Sequence, residues 1–291
     1  MGERVGTVKS LSRFPVKSMI GEQPSAVDIV DTRIVGDRAW GLIDVETGKV
    51  ASAKHPRLWG ALLGLRATYA DKPGAGNAVQ IELADGTTVS SDDADIDQTL
   101  SAAIGRDVRL TAEVPRGASY DEEWPEVPGL APEEFIAGTR TGRSVTGRDL
   151  SSLPVGMLAP GTFQDVAPLT LMTTASLRTA QKLHPDGDWD DRRFRSTVLL
   201  DVDGDGFVEQ GWVGRSLRIG DVELSITAPT PRCVMVTLAQ QELTDDAKLL
   251  RTLAEHNRLD VLGSGLYACL GVYASVATGG RVEAGNPVGL T

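Results

Sequence analysis

Residues 79–90 read VQIELADGTTVS, and they predict the dominant secondary structure of this chain. Val79, Ile81 and Leu83 are apolar, whereas the residues between them are polar or charged. Apolar residues at every second position are typical of a strand with one buried face, and the Asp-Gly pair that follows favours a tight turn. The stretch therefore predicts a β-hairpin.

Similar short alternating runs, broken by Gly, Asp and Pro, extend from this hairpin back to the start of the chain. The stretch SSDDADIDQTLSAAIGRDVRL, directly after the hairpin, instead predicts a helix with Asp92 or Asp93 as its N-cap and Gly105 at its end. We therefore expect a mainly β (α+β) fold, in which hairpins and antiparallel sheet are joined by a few short helices.

Two more helices are predicted among further strands in the second half. TTASLRTAQKL begins with a threonine cap, and TDDAKLLRTLAEHNRL offers Thr244 as a cap and Leu249, Leu250 and Leu253 as a buried stripe.

The chain divides where periodicity is lost. Residues 113–147 mix Pro, Gly, Glu and Asp, which predicts a connecting segment, and its Trp124 and Phe135 indicate that it packs on the surface. We expect a β-rich N-terminal domain at 1–112 and a second domain at 148–291.

The charge of the chain limits its partners. A net charge of −11 over 291 residues argues against nucleic acid and anionic membranes as partners, so a local cationic pocket must hold any anionic ligand. No apolar run approaches the roughly 20 residues of a membrane helix, and the first residues lack the apolar core of a secretory signal. We expect a cytoplasmic protein, with its two cysteines as free thiols.

Two familiar signals are weak here. Residues 201–206, DVDGDG, begin like a calcium loop, but Trp212 stands where that loop needs a bidentate glutamate, so we predict a solvated hairpin turn. His55, His184 and His256 are scattered without a zinc or serine-hydrolase pattern, which favours a helix end for His256 and surface positions for the other two.

Clustered cations are more informative in an acidic chain. Lys17 and Ser18 follow an apparent strand end, where a lysine beside a hydroxyl can hold a phosphate or lie in solvent. Arg38 adds to this charge, as does WDDRRFRST with Arg192, Arg193 and Arg195, although ion pairs with Asp190 and Asp191 explain those arginines equally well.

Cys233 lies in TAPTPRCVMVTL, where Pro229 and Pro231 restrict the backbone. Arg232 beside it favours the thiolate, which is the form that ligates a soft metal or attacks an electrophile. A free cysteine is also a common buried apolar residue, and that interpretation stays open for Cys233 and is the preferred one for Cys269.

Several stretches, in one order along nearly the whole chain, resemble the MOSC family with its N-terminal β-barrel domain. This is the family of the molybdenum cofactor sulfurase C-terminal domain and the mitochondrial amidoxime reducing component. The stretches are VGTVKSLSRFPVKSMIGE, GDRAWGLIDVETGKVASAKHPRL, PLTLMTTASLRTAQKL, WDDRRFRSTVLLD, WVGRSLRIGDVEL, TPRCVMVTL and GVYASVATGGRVEAGNPV. The resemblance implies a β-barrel-like MOSC domain preceded by a smaller β-rich domain.

The resemblance also implies a molybdenum–molybdopterin cofactor between the two domains, with no need of pyridoxal phosphate. Cys233 would ligate the metal, as a ligand rather than a nucleophile. The residues that match the cofactor-binding positions of the family are Lys17, Ser18, Arg38, Thr173, Thr174, Arg195 and Arg232.

The implied activity is an oxidoreductase that reduces small N-hydroxylated compounds with electrons from a separate ferredoxin or reductase, because the chain has no plant-type iron–sulfur motif. Two residues depart from the family. Pro231 stands where the animal reductases have serine, and Ser196 stands where proline often follows the arginine. A sulfur or cofactor carrier that uses a Cys233 persulfide or thiolate, and a metal-free MOSC protein, are the alternatives.

Overall fold

The computed structural model describes residues 2–30, 32–74 and 76–291, and strands form most of its regular structure. The strands are β1 Glu3–Leu11, β2 Ala26–Val30, β3 Arg33–Ile34, β4 Gly41–Asp44, β5 Arg66–Tyr69, β6 Val79–Glu82, β7 Thr88–Ser90, β8 Val108–Thr111, β9 Ser119–Glu123, β10 Arg140–Arg143, β11 Asp149–Pro154, β12 Leu169–Thr173, β13 Val198–Asp201, β14 Ser216–Ile219, β15 Val222–Pro231, β16 Arg258–Asp260, β17 Leu266–Thr278, β18 Gly280–Glu283 and β19 Pro287–Leu290. The prediction of a mainly β fold is confirmed.

Helices are few and short, as predicted. The α-helices are α1 Pro56–Trp59, α2 Ile96–Ile104, α3 Glu133–Thr139, α4 Thr174–Leu183 and α5 Lys248–His256, and 3-10 helices lie at Gly60–Gly64, Asp191–Phe194, Val208–Trp212 and Val234–Thr237. Within the described residues, none of the helices has the length and apolar character needed to cross a bilayer.

Seven strands close into a barrel in the order β12, β13, β1, β19, β14, β15 and β17, and β17 pairs back onto β12. Only β12 and β13 run parallel within this ring, and β16 is added to β17 outside it. Closure pairs both edges of every strand in the ring. Alternate side chains fill the interior, including the fully buried Leu171, Leu200, Leu217, Leu224 and Val272.

The long strand β17 closes the barrel because it pairs with both β15 and β12. Gly271 lies at this crossing with φ of 77°, and a Cβ there would lie 2.5 Å from the carbonyl oxygen of Leu171. A side chain cannot be accommodated at that distance, so glycine lets the two strands approach.

The first strand of the chain belongs to this barrel. β1 lies between β13 and β19. Conversely, β18, near the C-terminus, pairs with β2, near the N-terminus. Each predicted domain therefore contributes a strand to a sheet of the other. The domain boundaries at 112 and 148 stay a prediction.

The remainder of the first half packs around its own core. The sheet β5–β6–β7 and the pair β4–β8 cover this core with α2, and its buried residues include Trp59, Leu62, Ile81 and Leu100. The hairpin predicted at residues 79–90 is formed by β6 and β7, with Glu82 opposite Thr88.

Two of the predicted helix caps are wrong. α2 ends at Gly105 as predicted, but Asp95 precedes the helix, because Asp93 accepts a hydrogen bond from the backbone NH of Ser90 at 2.7 Å and belongs to the preceding turn. Likewise, α5 begins at Lys248 rather than after Thr244.

In α5 the carboxylate of Asp246 accepts from the backbone NH of Lys248 at 2.9 Å, while its own NH donates to the carbonyl of Thr237. This second bond ties the chain at Asp246 to the end of the 3-10 helix Val234–Thr237. The predicted stripe of Leu249, Leu250 and Leu253 is confirmed, because all three are fully buried.

The predicted hairpin turn at 201–206 is also wrong. After β13 the chain enters the 3-10 helix Val208–Trp212, and β14 pairs with β15 and β19 instead of returning along β13. Glu209 in that helix is fully buried and accepts from the hydroxyls of Thr173 and Ser176 at 2.7 and 2.5 Å. These two bonds hold the segment against the start of α4.

The segment 113–147 packs on the surface as predicted, although it contains β9, α3 and β10. Trp124 and Phe135 meet edge to face with ring centres 6.0 Å apart, and Phe135 meets Tyr267 of β17 in the same way at 5.7 Å. Aromatic pairs of this geometry stabilise the packing beyond the area they bury.

Candidate functional site

A cavity lies where the first part of the chain meets the barrel. It encloses about 740 Å³ of space outside protein atoms, and this volume includes open solvent at its mouth. Six of the eight residues that the resemblance matched to the cofactor site line it, namely Lys17, Ser18, Arg38, Arg195, Arg232 and Cys233.

The backbone is unusual at three of these six residues. Ser18, Arg38 and Arg195 have φ of 66°, 46° and 51°, and they are three of the five non-glycine residues with positive φ in the described part of the chain. L-residues with side chains rarely adopt this conformation, and it clusters at functional sites, where surrounding contacts maintain it. Here the NH of Arg38 donates to the carbonyl of Phe14 at 2.8 Å, and Arg195 ends the 3-10 helix Asp191–Phe194.

Phe14 joins the two arginines that come from different halves of the chain. The guanidinium carbons of Arg38 and Arg195 each lie 4.2 Å from the centre of its ring. Arg38 pairs with the buried Asp37 at 2.6 Å, whereas Arg195 donates to the carbonyl of Met19 at 2.7 Å and pairs with no carboxylate in the described part of the chain. Burial and the neighbouring charge of Arg38 lower the pKa of Arg195 to about 9.

Arg232 is buried at the end of β15. Its Nε donates to the carbonyl of Leu270 and its Nη1 to that of Phe194, both at 2.8 Å. The remaining Nη2 is buried and has no hydrogen-bond partner among the described residues. The same is true of Oγ1 of Thr230, two residues earlier in the sequence. Both residues line the cavity, so both offer unsatisfied polar atoms at its wall.

Cys233 is half-buried and precedes the 3-10 helix Val234–Thr237. Its side chain packs with Ala53 and Met235. We expected Arg232 to favour the thiolate, but burial raises the pKa of the Cys233 thiol, and the first charge that opposes this rise is that of Lys54. The guanidinium of Arg232 is engaged by backbone carbonyls instead.

The sequence did not indicate two residues that complete the cavity, Lys54 and Asp165. The ammonium of Lys54 donates to Glu122 Oε2 at 3.0 Å and to the hydroxyl of Tyr120 at 3.1 Å, and it lies 3.2 Å from Asp165 Oδ2. Lys17 pairs with the other oxygen of Asp165. Burial lowers the pKa of Lys54, but Asp165 and Glu122 outweigh it and hold that pKa well above its usual range.

The signals for these residues were present but ambiguous. Lys54 directly follows Ala53 in the stretch VASAKHPRL, and Asp165 stands in FQDVAP before β12. A single charge at a strand end is ordinary, so nothing but the tertiary contact distinguishes them.

Thr173 and Thr174, matched to cofactor-binding positions, are not among the residues that line the cavity. Thr173 caps α4 by accepting from the NH of Ser176 and donates its own proton to Glu209. The hydroxyl of Thr174 bonds with Asp201. The hydroxyls of both threonines are therefore hydrogen-bonded at the junction of β12 and α4. Thr170, also in β12, lines the cavity instead.

The other charged candidates are ion pairs. Arg192 pairs with Asp190 at 2.7 Å, as the sequence allowed, and Arg193 pairs with Asp188 at 2.9 Å although its side chain is buried at the cavity wall. The surface position predicted for His55 is wrong, since that residue is buried.

The lining of the cavity fits an anionic group. Unsatisfied donors and two arginines without carboxylate partners suit an anion, and Cys233 offers one thiol. Within the described residues there is no cluster of three or more His, Cys, Asp or Glu side chains that could hold a metal.

Comparisons with known proteins agree with the resemblance seen in the sequence. The family model described as MOSC N-terminal beta barrel domain matches residues 5–108, and the one described as MOSC domain matches residues 159–289. A search of the curated proteins found no match.

Similar solved structures include the YUAD protein from Bacillus subtilis, with 11% identity over 100% of this chain and 98% of that one and a TM-score of 0.45. YiiM from Geobacillus stearothermophilus is 14% identical over 43% of this chain and 54% of its own, with a TM-score of 0.31. YiiM from Escherichia coli is 16% identical over the same shares, with a TM-score of 0.29. The match spans about half the length of each YiiM chain.

Proposed function

The chain belongs to the MOSC-domain proteins, with a MOSC N-terminal β-barrel domain ahead of the MOSC domain, and from this premise we propose that it is a molybdenum-dependent oxidoreductase. Its substrates are small N-hydroxylated compounds, such as amidoximes and hydroxylamines. One observation carries the proposal: the cavity gathers Arg38, Arg195, Arg232 and Cys233 from both parts of the chain, with buried donors left free.

The residues divide the work of holding a molybdopterin. Arg195 and Arg232 carry charges that no carboxylate in the described residues neutralises, so they suit the phosphate and other oxygen acceptors of the cofactor. Cys233 supplies a sulfur, which is a ligand that suits a soft metal. When bound, the cofactor would supply the two-electron redox chemistry, while the protein binds and orients it.

The proposed reaction balances with an external electron donor. A hydroxylamine R–NH–OH takes two electrons and two protons and yields R–NH₂ and water, so the N–O bond breaks and the oxygen leaves as water. The electrons come from a separate redox protein, a ferredoxin or a flavin- or iron–sulfur-containing reductase. A net charge of −11 suits a partner with a basic docking face.

Elemental analysis tests the cofactor assignment. Protein expressed in a host that makes molybdenum cofactor should contain about one molybdenum per chain, and Cys233→Ala should lose it. Cys269→Ala is the matched control, because Cys269 is fully buried away from the cavity, and it should keep its molybdenum. Absence of molybdenum from the wild-type protein overturns the assignment.

Arginine variants test the anchoring. Arg195→Ala should retain roughly tenfold less molybdenum after gel filtration, since it removes a cation without a carboxylate partner from the cavity. Arg192→Ala removes a neighbouring cation that is paired with Asp190 outside the cavity, and should retain as much as wild type. Equal retention in both variants contradicts the role of Arg195.

Activity separates the reductase from a carrier. Reduction of benzamidoxime by the molybdenum-loaded protein, with dithionite-reduced viologen as donor, supports the oxidoreductase. Cyanide-labile sulfur on Cys233 in a protein that does not reduce benzamidoxime would instead identify a sulfur carrier.

A further inference from the structure

The two ends of the cavity differ in charge balance. We call Lys17, Lys54 and Asp165 the lysine end, and Arg38, Arg195 and Arg232 the arginine end. Among the described residues that line the cavity, Asp165 is the sole carboxylate. Its position decides which of the cations are available to a ligand.

At the lysine end, every positive charge is already matched. Asp165 contacts Lys17 through one oxygen and Lys54 through the other, the latter at 3.2 Å. Lys54 also pairs with Glu122, and Lys17 also donates to the carbonyl of Phe163 at 3.1 Å. Two ammonium groups thus face two carboxylates, and Lys54 also donates to the hydroxyl of Tyr120.

At the arginine end, positive charge is in excess. Asp37 neutralises Arg38, but Arg195 and Arg232 bond only to backbone carbonyls in the described part of the chain. Nη2 of Arg232 lacks any such partner and is buried. Buried charges without counter-ions are costly, and an anion that reaches them gains strong charge-assisted hydrogen bonds.

We propose that Asp165 is a specificity-determining residue that neutralises the lysine end and thereby directs the oxyanion group of a ligand to the arginine end. The inference deepens the proposed function and rests on it in one respect, namely that the ligand is anionic. The side of the cavity with Lys17 and Lys54 is then left for the uncharged part of the ligand or for the substrate.

The charge of Asp165 is permanent under ordinary conditions. Burial raises its pKa, but Lys17 and Lys54 outweigh burial and hold the pKa far below its usual range. The tyrosine between the lysines adds to the fixed geometry, because its ring centre lies 4.7 Å from the ammonium of Lys17 and 4.9 Å from that of Lys54.

Phosphate binding to the full chain without cofactor tests the proposal. Protein from a host unable to make molybdenum cofactor is titrated with inorganic phosphate by calorimetry. Wild type should bind one phosphate, and Arg195→Gln should weaken this binding about tenfold or more. Asp165→Asn should strengthen binding about tenfold, because it leaves Lys17 without a carboxylate partner and Lys54 with Glu122 alone.

The double variant is the decisive arm. Arg195→Gln/Asp165→Asn should still bind phosphate, since Lys17, without its carboxylate partner, offers a second position for it. If the double variant binds phosphate as weakly as Arg195→Gln alone, the proposal is wrong. Asp149→Asn is the matched control, because Asp149 bridges Arg140 and Arg143 on the surface, and its phosphate affinity should equal that of wild type.

A second variant keeps the test informative if Asp165→Asn does not fold. Lys17→Gln leaves Asp165 paired with Lys54 but gives the lysine end one excess negative charge, so it should weaken phosphate binding through this charge alone, and by less than Arg195→Gln does. A loss as large as that of Arg195→Gln would mean that Lys17 binds the anion directly, which overturns the proposal. Because no molybdenum enters these titrations, their outcome is independent of the metal content that tests the proposed function.

Discussion

The guanidinium carbon of Arg195 lies 4.2 Å from the ring centre of Phe14, so a residue from the start of the chain supports a cation from the barrel. Arg38 lies at the same distance from that ring. The attraction of each cation to the aromatic ring offsets part of the repulsion between the two arginines. The ring therefore allows two positive charges to share one wall of the cavity.

A double-mutant cycle measures this support. We expect Phe14→Leu to lower the free energy of unfolding by about 2 kcal/mol, and the cycle of Phe14→Leu with Arg195→Gln to give a coupling of about 1 kcal/mol. Urea unfolding of the four proteins provides the values. The cycle of Phe14→Leu with Arg192→Gln serves as the control, and a coupling as small as in this control would rule out the contact as a source of stability.

Left-handed backbone at the site has a stability cost that glycine variants expose. Leu262 has φ of 55° and an exposed side chain, so Leu262→Gly should raise the free energy of unfolding by about 1 kcal/mol. Arg38→Gly removes the same strain but also the ion pair with Asp37 and the contact with Phe14, so it should give no gain. Urea unfolding compares both with wild type, and an equal gain in the two variants would mean that the contacts of Arg38 add no stability.

The sequence predicted the parts of the site that depend on local pattern or on order along the chain. The hairpin at 79–90, the Thr173 cap and the leucine stripe of α5 follow from spacing alone, and all three are present. The resemblance to the MOSC family assigned Arg38, Arg195 and Cys233 to one site, and all three line one cavity.

The remainder depends on contacts between distant segments. Lys54 and Asp165 acquire their role from each other, and neither has a distinctive neighbour in the sequence. Thr244 looks like a cap, but the bond between the NH of Asp246 and the carbonyl of Thr237 moves the start of α5. The segment 201–206 looks like a hairpin turn because its Asp and Gly residues favour one, and the sequence does not show that Glu209 is buried.

The buried Glu209 predicts a pH dependence of stability. Burial raises the pKa of this carboxyl above 4.5, and the hydroxyls of Ser176 and Thr173 lower it only in part. The folded protein therefore holds this proton at pH values where the unfolded chain has released it, so the contribution of Glu209 to stability falls as pH rises from about 4.5 through the folded pKa.

Glu209→Gln removes this dependence and keeps an acceptor for both hydroxyls. The free energy of unfolding of wild type minus that of the variant should therefore decrease as the pH rises above about 4.5. Urea unfolding at several pH values measures the difference. A difference that rises with pH would mean that the folded protein favours the ionised form of this carboxyl.

The two thiols should differ in their reaction with iodoacetamide. Cys233 is half-buried and lines the cavity, whereas Cys269 is fully buried and bonds to the carbonyl of Tyr267 at 3.2 Å. In the native, cofactor-free protein we expect alkylation at Cys233 alone, at a rate at least about tenfold below that of a free thiol, because access is restricted and burial raises the pKa. Peptide mass spectrometry locates the label, and urea should expose both residues.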